Sequence, residues 1–248
     1  MRTLIVFDGE SSRDHNLVVE RRPDNVHAAR RWETVTIPGR NGKLTLDGGS
    51  YENYTQSYEI YLDGKHDGLP DVASDVAEWL SSSAGYKKLE DLYEPDVYRL
   101  AQYRGSLQLS NILNTFGKAT ISFDVQPQRY LKHADNLYGV QVLPGQNNWL
   151  YNKTNFNANP KIIVSTSPSS GADGVITIVH DGNTETITLT GIDSGTIIDS
   201  ELLDCYYGST NYNSAMSGDF PIFEPGSTNI TVSGDITSLT IFPRWWKL

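Results

Sequence analysis

A β-hairpin is predicted by the segment Glu33-Thr34-Val35-Thr36-Ile37-Pro38-Gly39-Arg40-Asn41-Gly42-Lys43-Leu44-Thr45-Leu46. Alternating β-type residues run into a dense cluster of turn formers and then alternate again. Asn41-Gly42 is the strongest short hairpin signal because both residues accept positive φ angles, and Pro38-Gly39 adds a second turn or bulge. We therefore expect a projecting hairpin over about residues 33–46, with Arg40 and Lys43 at its tip.

Two roles are compatible with this basic tip. Loops usually lie at the protein surface, so the local sequence favours an ordinary solvated loop. The alternative is a contact arm toward another subunit, with its interface formed by Arg40, Asn41, Gly42 and Lys43. The local sequence leaves both roles open.

The composition favours a mainly β protein. The chain has 248 residues with 21 Gly and 11 Pro, and short runs of alternating β-branched, aromatic and polar residues are bounded by turn formers. This length can hold two domains that each bury a core. We expect two β-sandwich domains, 1–130 and 131–248, with a strand stopping at Gln126-Pro127-Gln128 at the boundary.

One segment of the first domain has helical spacing. Its apolar residues recur on one face at Val72, Val76, Trp79 and Leu80. Pro70 suits the first helical turn and Gly85 suits a C-cap. The pattern predicts a helix over about residues 70–83, with Trp79 as its core anchor.

The second domain contains a clear hairpin signal of its own. Asp181-Gly182-Asn183 separates two runs in which Ile and Thr alternate, so one face of the hairpin should meet a core and the other should meet water. Further short strands separated by turn signals predict a sandwich.

The charge balance excludes several classes of partner. The formal net charge is −10, which disfavours wrapping of nucleic acid and binding to anionic lipid, although DNA could still pass through a negatively lined hole. The first residues are apolar for too short a run to be a signal peptide, and no apolar run approaches the ~20 residues that cross a bilayer. We therefore expect synthesis in a cytosol and no membrane partner.

No catalytic constellation is evident, so we expect no enzyme, no metal and no cofactor. The five histidines are far apart and match no metal-binding spacing. Cys205 is the only cysteine and has no basic neighbour in sequence that would activate it. Asp199, Glu201 and Asp204 could supply a carboxylate pair for glycoside hydrolysis, but solvent-facing carboxylates at a strand end are the favoured interpretation.

Aromatic residues offer a different chemistry. Trp149, Tyr151, Tyr206 and Tyr207 could stack on sugar rings, because a flat apolar face with a polar edge suits that task. The same residue types fill cores and anchor interfaces equally well. A carbohydrate-binding site is therefore an alternative and not the main prediction.

Taken together, the motifs resemble the distal tail proteins, or Dit proteins, of long-tailed, non-contractile bacteriophages. The resemblance covers nearly the full length and rests on the order and spacing of Phe7-Asp8-Gly9 with Ser12, Val35 to Gly42, Trp79-Leu80 with Gly85-Tyr86, Leu89-Glu90-Asp91, Tyr98-Arg99, Asn159-Pro160-Lys161-Ile162, Gly218-Asp219-Phe220-Pro221, Pro225 to Ile230, and Pro243-Arg244-Trp245.

This resemblance implies a structural virion protein without enzymatic activity, made in the host bacterial cytoplasm and assembled at the tail tip. It implies a ring-forming N-terminal domain that builds a homohexameric baseplate hub. The implied partners are the major tail tube protein, the tail-associated protein and receptor-binding or other baseplate proteins, with DNA only in transit. The C-terminal domain would resemble a galectin or carbohydrate-binding module, which keeps open the alternative of a lectin-like adhesion module for host cell-wall saccharide.

Overall fold

The structure, a computed structural model, describes residues 4–65, 68–113, 115–132 and 139–248. The chain is mainly β, with one α-helix among these residues. It divides into two compact units, residues 1–129 together with Leu248, and Tyr130–Lys247. The mainly β fold class predicted from the sequence is confirmed.

The first unit is built on one large antiparallel sheet. Its strands are β1 (Ile5–Phe7), β2 (Glu10–Ser11), β3 (Leu17–Val19), β4 (Arg30–Val35), β5 (Leu44–Tyr51), β6 (Tyr54–Asp63), β7 (Lys87–Asp91), β8 (Val97–Tyr103), β9 (Ser110–Leu113) and β10 (Phe116–Leu131). The order in the large sheet is β2-β1-β7-β8-β10-β6-β3, with β9 paired to β10. Strands β4 and β5 stand outside this sheet and pair with each other.

Helix α1 covers the core of the first unit. It runs Leu69–Ser81, with Pro70 in its first turn, and its buried face is the one expected from the apolar spacing. Trp79 anchors it because the indole Nε1 donates to the carbonyl of Phe7 at 3.3 Å and the two rings meet edge to face at 6.4 Å. The C-cap is Ser82 and not the expected Gly85, which lies beyond the helix in a turn with φ of 81°.

Strand β10 is longer than the sequence suggested. We expected it to stop at Gln126-Pro127-Gln128, but it continues through Pro127 to Leu131. Pairing with β6 ends at Val125 opposite Tyr54. The missing amide hydrogen of Pro127 therefore interrupts no bond of that ladder, and the proline is tolerated.

A buried ion pair ties the β7–β8 hairpin together. Arg99 Nη1 lies 3.3 Å from Asp91 Oδ2, and only 4% and 5% of these two residues are exposed. The Tyr58 hydroxyl donates to the same carboxylate at 3.0 Å, and the amides of Tyr93 and Glu94 donate to its other oxygen at 2.9 Å. Burial raises the pKa of the Tyr58 phenol well above its ordinary value, so this hydroxyl remains a donor.

The second unit is a sandwich of two antiparallel sheets. Its strands are β11 (Val140–Val142), β12 (Asn148–Asn152), β13 (Lys161–Thr166), β14 (Ala172–His180), β15 (Asn183–Ile192), β16 (Thr196–Asp199), β17 (Asp204–Tyr207), β18 (Thr210–Asn211), β19 (Met216–Ser217), β20 (Gly226–Gly234), β21 (Ile236–Phe242) and β22 (Trp246–Lys247). One sheet has the order β11-β21-β13-β16-β17-β18 and the other β12-β20-β14-β15-β19, and β22 belongs to neither of these two sheets. Inward side chains of both, such as Ile162 and Ile176, form one buried cluster.

The β14–β15 hairpin has a tight two-residue turn. His180 pairs directly with Asn183, so only Asp181 and Gly182 lie between the strands. Both residues have positive φ, 45° and 81°. This is the backbone of a type I′ turn, whose twist matches that of the flanking strands, and it places the Ile side chains of both strands on the core face.

Candidate functional site

The hairpin formed by β4 and β5, which we call the arm, is closed by a loop and not by a two-residue turn. The last pair of its ladder is Val35 with Leu44, so residues 36–43 form the loop. A hairpin therefore occurs in the region predicted for it, and Asn41-Gly42 lies within its loop and not directly between paired residues. Pro38-Gly39 explains the difference, because Gly39 has φ of 79° and the Arg40 amide donates to Ile37 O at 3.2 Å, which turns the chain earlier.

The arm has no core of its own. Every residue of β4 is exposed, including Trp32 at 57% and Val35 at 38%, and Leu46 on β5 is 45% exposed. Because directly opposite residues share a face, Val35, Leu44 and Leu46 form an apolar row on one face, while Trp32 lies on the other. None of these side chains belongs to the buried cluster of the first unit.

The base of the arm is held by charge. Arg30 Nε donates to Asp47 Oδ1 at 2.8 Å, and Nη2 also contacts Oδ2. The same guanidinium lies 5.8 Å from the ring centres of Trp32 and Tyr51. The hydrogen bond from Arg30, followed by that from the Gly49 amide, lowers the pKa of Asp47 below its ordinary value. The site is exposed, so these contacts order the ribbon without supplying much folding free energy.

The residues predicted to form an interface all lie on the arm's loop. Arg40, Asn41, Gly42 and Lys43 are exposed, and Gly42 has φ of 80°. The structure records no ion pair for Arg40 or Lys43 within the described parts of the chain. Two exposed cations beside the row of Val35, Leu44 and Leu46 give the arm both apolar area and a charge that a partner could complement.

The predicted sugar-stacking residues separate into two pairs. Trp149 and Tyr151 lie two residues apart on β12, and they point outward with 65% and 56% exposure. Tyr206 and Tyr207 lie on β17 of the other sheet, where the Tyr207 ring lies 3.0 Å from the position that a β-carbon on Gly195 would take. The four residues therefore do not form one site.

The carboxylates considered for glycoside hydrolysis have structural contacts. Arg244 donates to both oxygens of the buried Asp199, at 2.6 and 2.8 Å, and lies 3.3 Å from Glu201. Asp204 accepts hydrogen bonds from the side-chain amides of Asn211 and Asn213. Burial acts to raise the pKa of Asp199, but the hydrogen bonds and charge of Arg244 and two backbone amides outweigh it and lower the pKa. Such a carboxylate stays ionised and paired.

His15, His180 and Cys205 lie in different parts of the structure. His15 stacks on Trp79 at 4.4 Å and contacts Glu10 and Asp75, and His180 contacts Thr228 at 3.1 Å. His66 and His133 lie outside the described residues. Burial raises the pKa of the Cys205 thiol to about 11, so this thiol is not activated. No cluster of three or more metal-ligating side chains occurs among the described residues.

A known protein family matches most of the first unit. Residues 10–125 match the phage tail protein RIFT-related domain, and no curated protein matches the chain significantly. In the described parts of the chain, no helix has the length and apolar character that a membrane span requires.

Comparison with solved structures concerns the whole chain. The crystal structure of SPP1 Dit (gp 19.1), described as a paradigm of the hub adsorption apparatus in phages that infect Gram-positive bacteria, is 15% identical, with a TM-score of 0.67 over 97% of this chain and 98% of that one. The phage p2 baseplate in its activated conformation matches with TM-scores of 0.57 with Sr and 0.56 with Ca, at 14% identity and 97% coverage of this chain in both cases. The alignments cover 97% and 98% of those chains.

Proposed function

We propose that the protein is the distal tail subunit of a siphophage baseplate hub. The proposal is supported by the match of residues 10–125 to the phage tail protein RIFT-related domain and by the similarity of the fold to that of SPP1 Dit. A structural role in the phage tail follows from the domain family. The finer proposal is that the subunits form a hexameric ring that connects the tail tube to the tail-associated and receptor-binding proteins.

The exposed arm is the observation that carries the ring proposal. An isolated two-stranded ribbon is marginally stable in water, and this one buries none of its large apolar side chains, with Trp32 57% exposed. Ordering of such a ribbon becomes favourable only when a second surface buries its apolar side chains. We infer that the surface belongs to a neighbouring subunit or to the tube protein.

The symmetry of such a contact favours a ring. The proposed ring requires that the arm of one subunit contact a different patch of the next, which makes the contact heterologous. Heterologous contacts repeat from subunit to subunit and generate a closed ring when the rotation closes. Arg40 and Lys43 would then meet carboxylates of the receiving surface, in a chain with 30 Asp and Glu residues.

A ring at the tail tip would also surround the path of DNA. The net charge of −10 disfavours adhesion of the duplex to the protein, which suits passage through a lumen. The receptor-binding and tail-associated proteins would bind other surfaces of the same ring. Synthesis in the host cytoplasm is part of the proposal.

Labelling of the virion tests the location. An antibody raised against this chain, added to purified phage particles and detected by electron microscopy, should decorate the end of the tail remote from the capsid. An antibody against the tube protein serves as the matched control and should decorate the shaft. Labelling of the capsid or shaft by the first antibody would overturn the assignment to the tail tip.

A further inference from the structure

The outer face of the β12-β20-β14-β15-β19 sheet has two exposed aromatic side chains at its β12 edge. Trp149 and Tyr151 are two residues apart on one strand, so their side chains point to the same side and their α-carbons are about 7 Å apart. Their exposed fractions of 65% and 56% show that no described side chain of the protein covers the rings. We refer to this surface as the outer face.

Between its ends, the outer face consists of uncharged polar and small apolar side chains. The strand register places Asn229, Val179 and Thr184 in one row beside Trp149. The next row contains Thr231, Thr177 and Thr186. Charged residues lie at the ends of the face. Lys153 follows Tyr151 by two residues and Asp181 lies in the β14–β15 turn, whereas Asp173 lies in the β-bulge at the far end of β14.

This composition discriminates between ligands. A phosphate-rich polymer or an acidic peptide would require a cluster of Lys or Arg on the surface, whereas the rows described have none and Lys153 is a single cation two residues from Tyr151. An apolar peptide would require a broad apolar patch, whereas hydroxyl groups of threonine dominate here. Two stacking rings beside hydroxyl and amide groups match a chain of neutral sugar rings, which present apolar faces and many hydroxyl groups.

Asn229 contributes a polar atom that the protein leaves unused. Its side-chain oxygen is buried and has no hydrogen-bond partner in the described structure, which is uncommon because an unpaired buried acceptor costs free energy. Asn229 lies directly opposite Trp149. This places an unused acceptor at the strand position paired with Trp149, where a sugar stacked on the indole would present hydroxyl donors.

We propose that the outer face binds a neutral polysaccharide chain, with one sugar ring stacked on Trp149 and another on Tyr151, and with hydroxyl groups bonded by Asn229 and the adjoining threonines. This site is independent of the arm, since it lies on the second unit. It would give the tail protein direct contact with an uncharged glycan.

Titration of the full-length protein with defined glycans tests the proposal. The probes are short gluco-, manno-, galacto- and rhamno-configured oligosaccharides, with poly(glycerol phosphate) as an anionic polymer, followed by isothermal calorimetry. At least one neutral probe should bind saturably, and poly(glycerol phosphate) should not compete with it. Absence of binding to every neutral probe at millimolar concentration would overturn the proposal, as would equal competition by the anionic polymer.

Substitutions identify the surface. Trp149→Ala and Tyr151→Ala should each weaken binding of the neutral probe at least about tenfold, because each removes a stacking ring. The matched controls are Trp32→Ala on the arm and Tyr207→Ala on the other sheet, which remove exposed rings of the same two types and should leave the affinity unchanged. Unchanged binding by Trp149→Ala, or equal loss in the controls, would show that the outer face is not the site.

Discussion

Trp32 lies directly opposite Asp47 in the arm, and 57% of its area is exposed although the Arg30 guanidinium lies 5.8 Å from its ring centre. The ion pair of Arg30 with Asp47 therefore fixes the ribbon while the large indole stays uncovered. Exposed tryptophan is costly to keep on a surface without a partner and is enriched where proteins bind each other. The arm combines these two properties in a few residues.

Replacement of this indole should affect assembly and leave folding unchanged. For Trp32→Ser we expect an unfolding free energy within about 0.5 kcal/mol of the parent protein, because the side chain supports no core, and association weakened at least about tenfold. Sedimentation and urea unfolding measure the two quantities. Trp149→Ser removes an indole of similar exposure outside the arm and should assemble normally. Normal assembly of both variants would remove Trp32 from the interface.

Reversal of charge at the arm's loop should also weaken assembly. Arg40→Glu places a carboxylate where a partner with acidic groups is expected, so ring or tail assembly should be impaired while the monomer remains folded. The matched control is Lys153→Glu, an equally large charge change at an exposed position of the second unit. If Arg40→Glu assembles like the control at low and moderate salt, the loop is an ordinary solvated loop.

The pair of Asp199 and Arg244 makes the second unit sensitive to acid. The pKa of Asp199 is lowered in the folded protein, so its contribution to stability is present above the unfolded pKa of about 3.9 and is lost as the pH falls through the folded pKa. Asp199→Asn should lower the unfolding free energy by about 2 kcal/mol near neutral pH, because Arg244 loses a charged partner.

Comparison of two pH values separates this ion pair from general acid effects. Urea unfolding near pH 7 and near pH 3 should show a larger loss of stability for the parent protein than for Asp199→Asn, since only the parent has this carboxylate to protonate. Equal losses in the two proteins would mean that Asp199 titrates alike in the folded and unfolded states. Arg244→Lys provides a second variant, which keeps the charge but not the two-point contact.

The buried ion pair of Asp91 with Arg99 in the first unit should contribute more to stability than the pair of Asp199 with Arg244. Asp91→Ala removes one of the two carboxylates that contact Arg99, the other being Glu94, and also the acceptor of the Tyr58 hydroxyl. It should cost about 2–4 kcal/mol because buried donors lose their acceptor and the buried guanidinium loses one of its two counter-charges. Asp219→Ala, an exposed position of the second unit, should change stability by less than about 0.5 kcal/mol. Thermal unfolding followed by circular dichroism measures both, and a loss below about 1 kcal/mol for Asp91→Ala would contradict the assignment.

Short sequence motifs predicted the structure correctly where a turn or a helix depends mainly on neighbouring residues. Asp181-Gly182 forms the two-residue turn expected of it, and the apolar spacing around Trp79 predicted the buried face of α1. Asn41-Gly42 carries an equally strong signal but lies in a longer loop, since Pro38-Gly39 turns the chain first. When two turn-forming pairs lie close together in the sequence, neither pair by itself shows which of them turns the chain.

The candidate sites depend on contacts between residues far apart in the sequence, which the sequence alone does not reveal. Asp199 and Arg244 are 45 residues apart, and only the folded sandwich shows that this carboxylate is paired. The i, i+2 spacing of Trp149 and Tyr151 could have indicated a shared face, but Asn229 reaches that face through the pairing of β12 with β20. The resemblance to distal tail proteins, which used the order of motifs along the whole chain, is confirmed.

The most direct test of the ring hub is electron microscopy of the purified full-length protein in negative stain, at high concentration and again with the tail tube protein. We expect class averages of closed rings with six-fold symmetry under at least one condition, and we expect Trp32→Ser and Arg40→Glu to abolish them while Trp149→Ser and Lys153→Glu retain them. A protein that stays monomeric under both conditions and does not bind the tube protein would contradict the account.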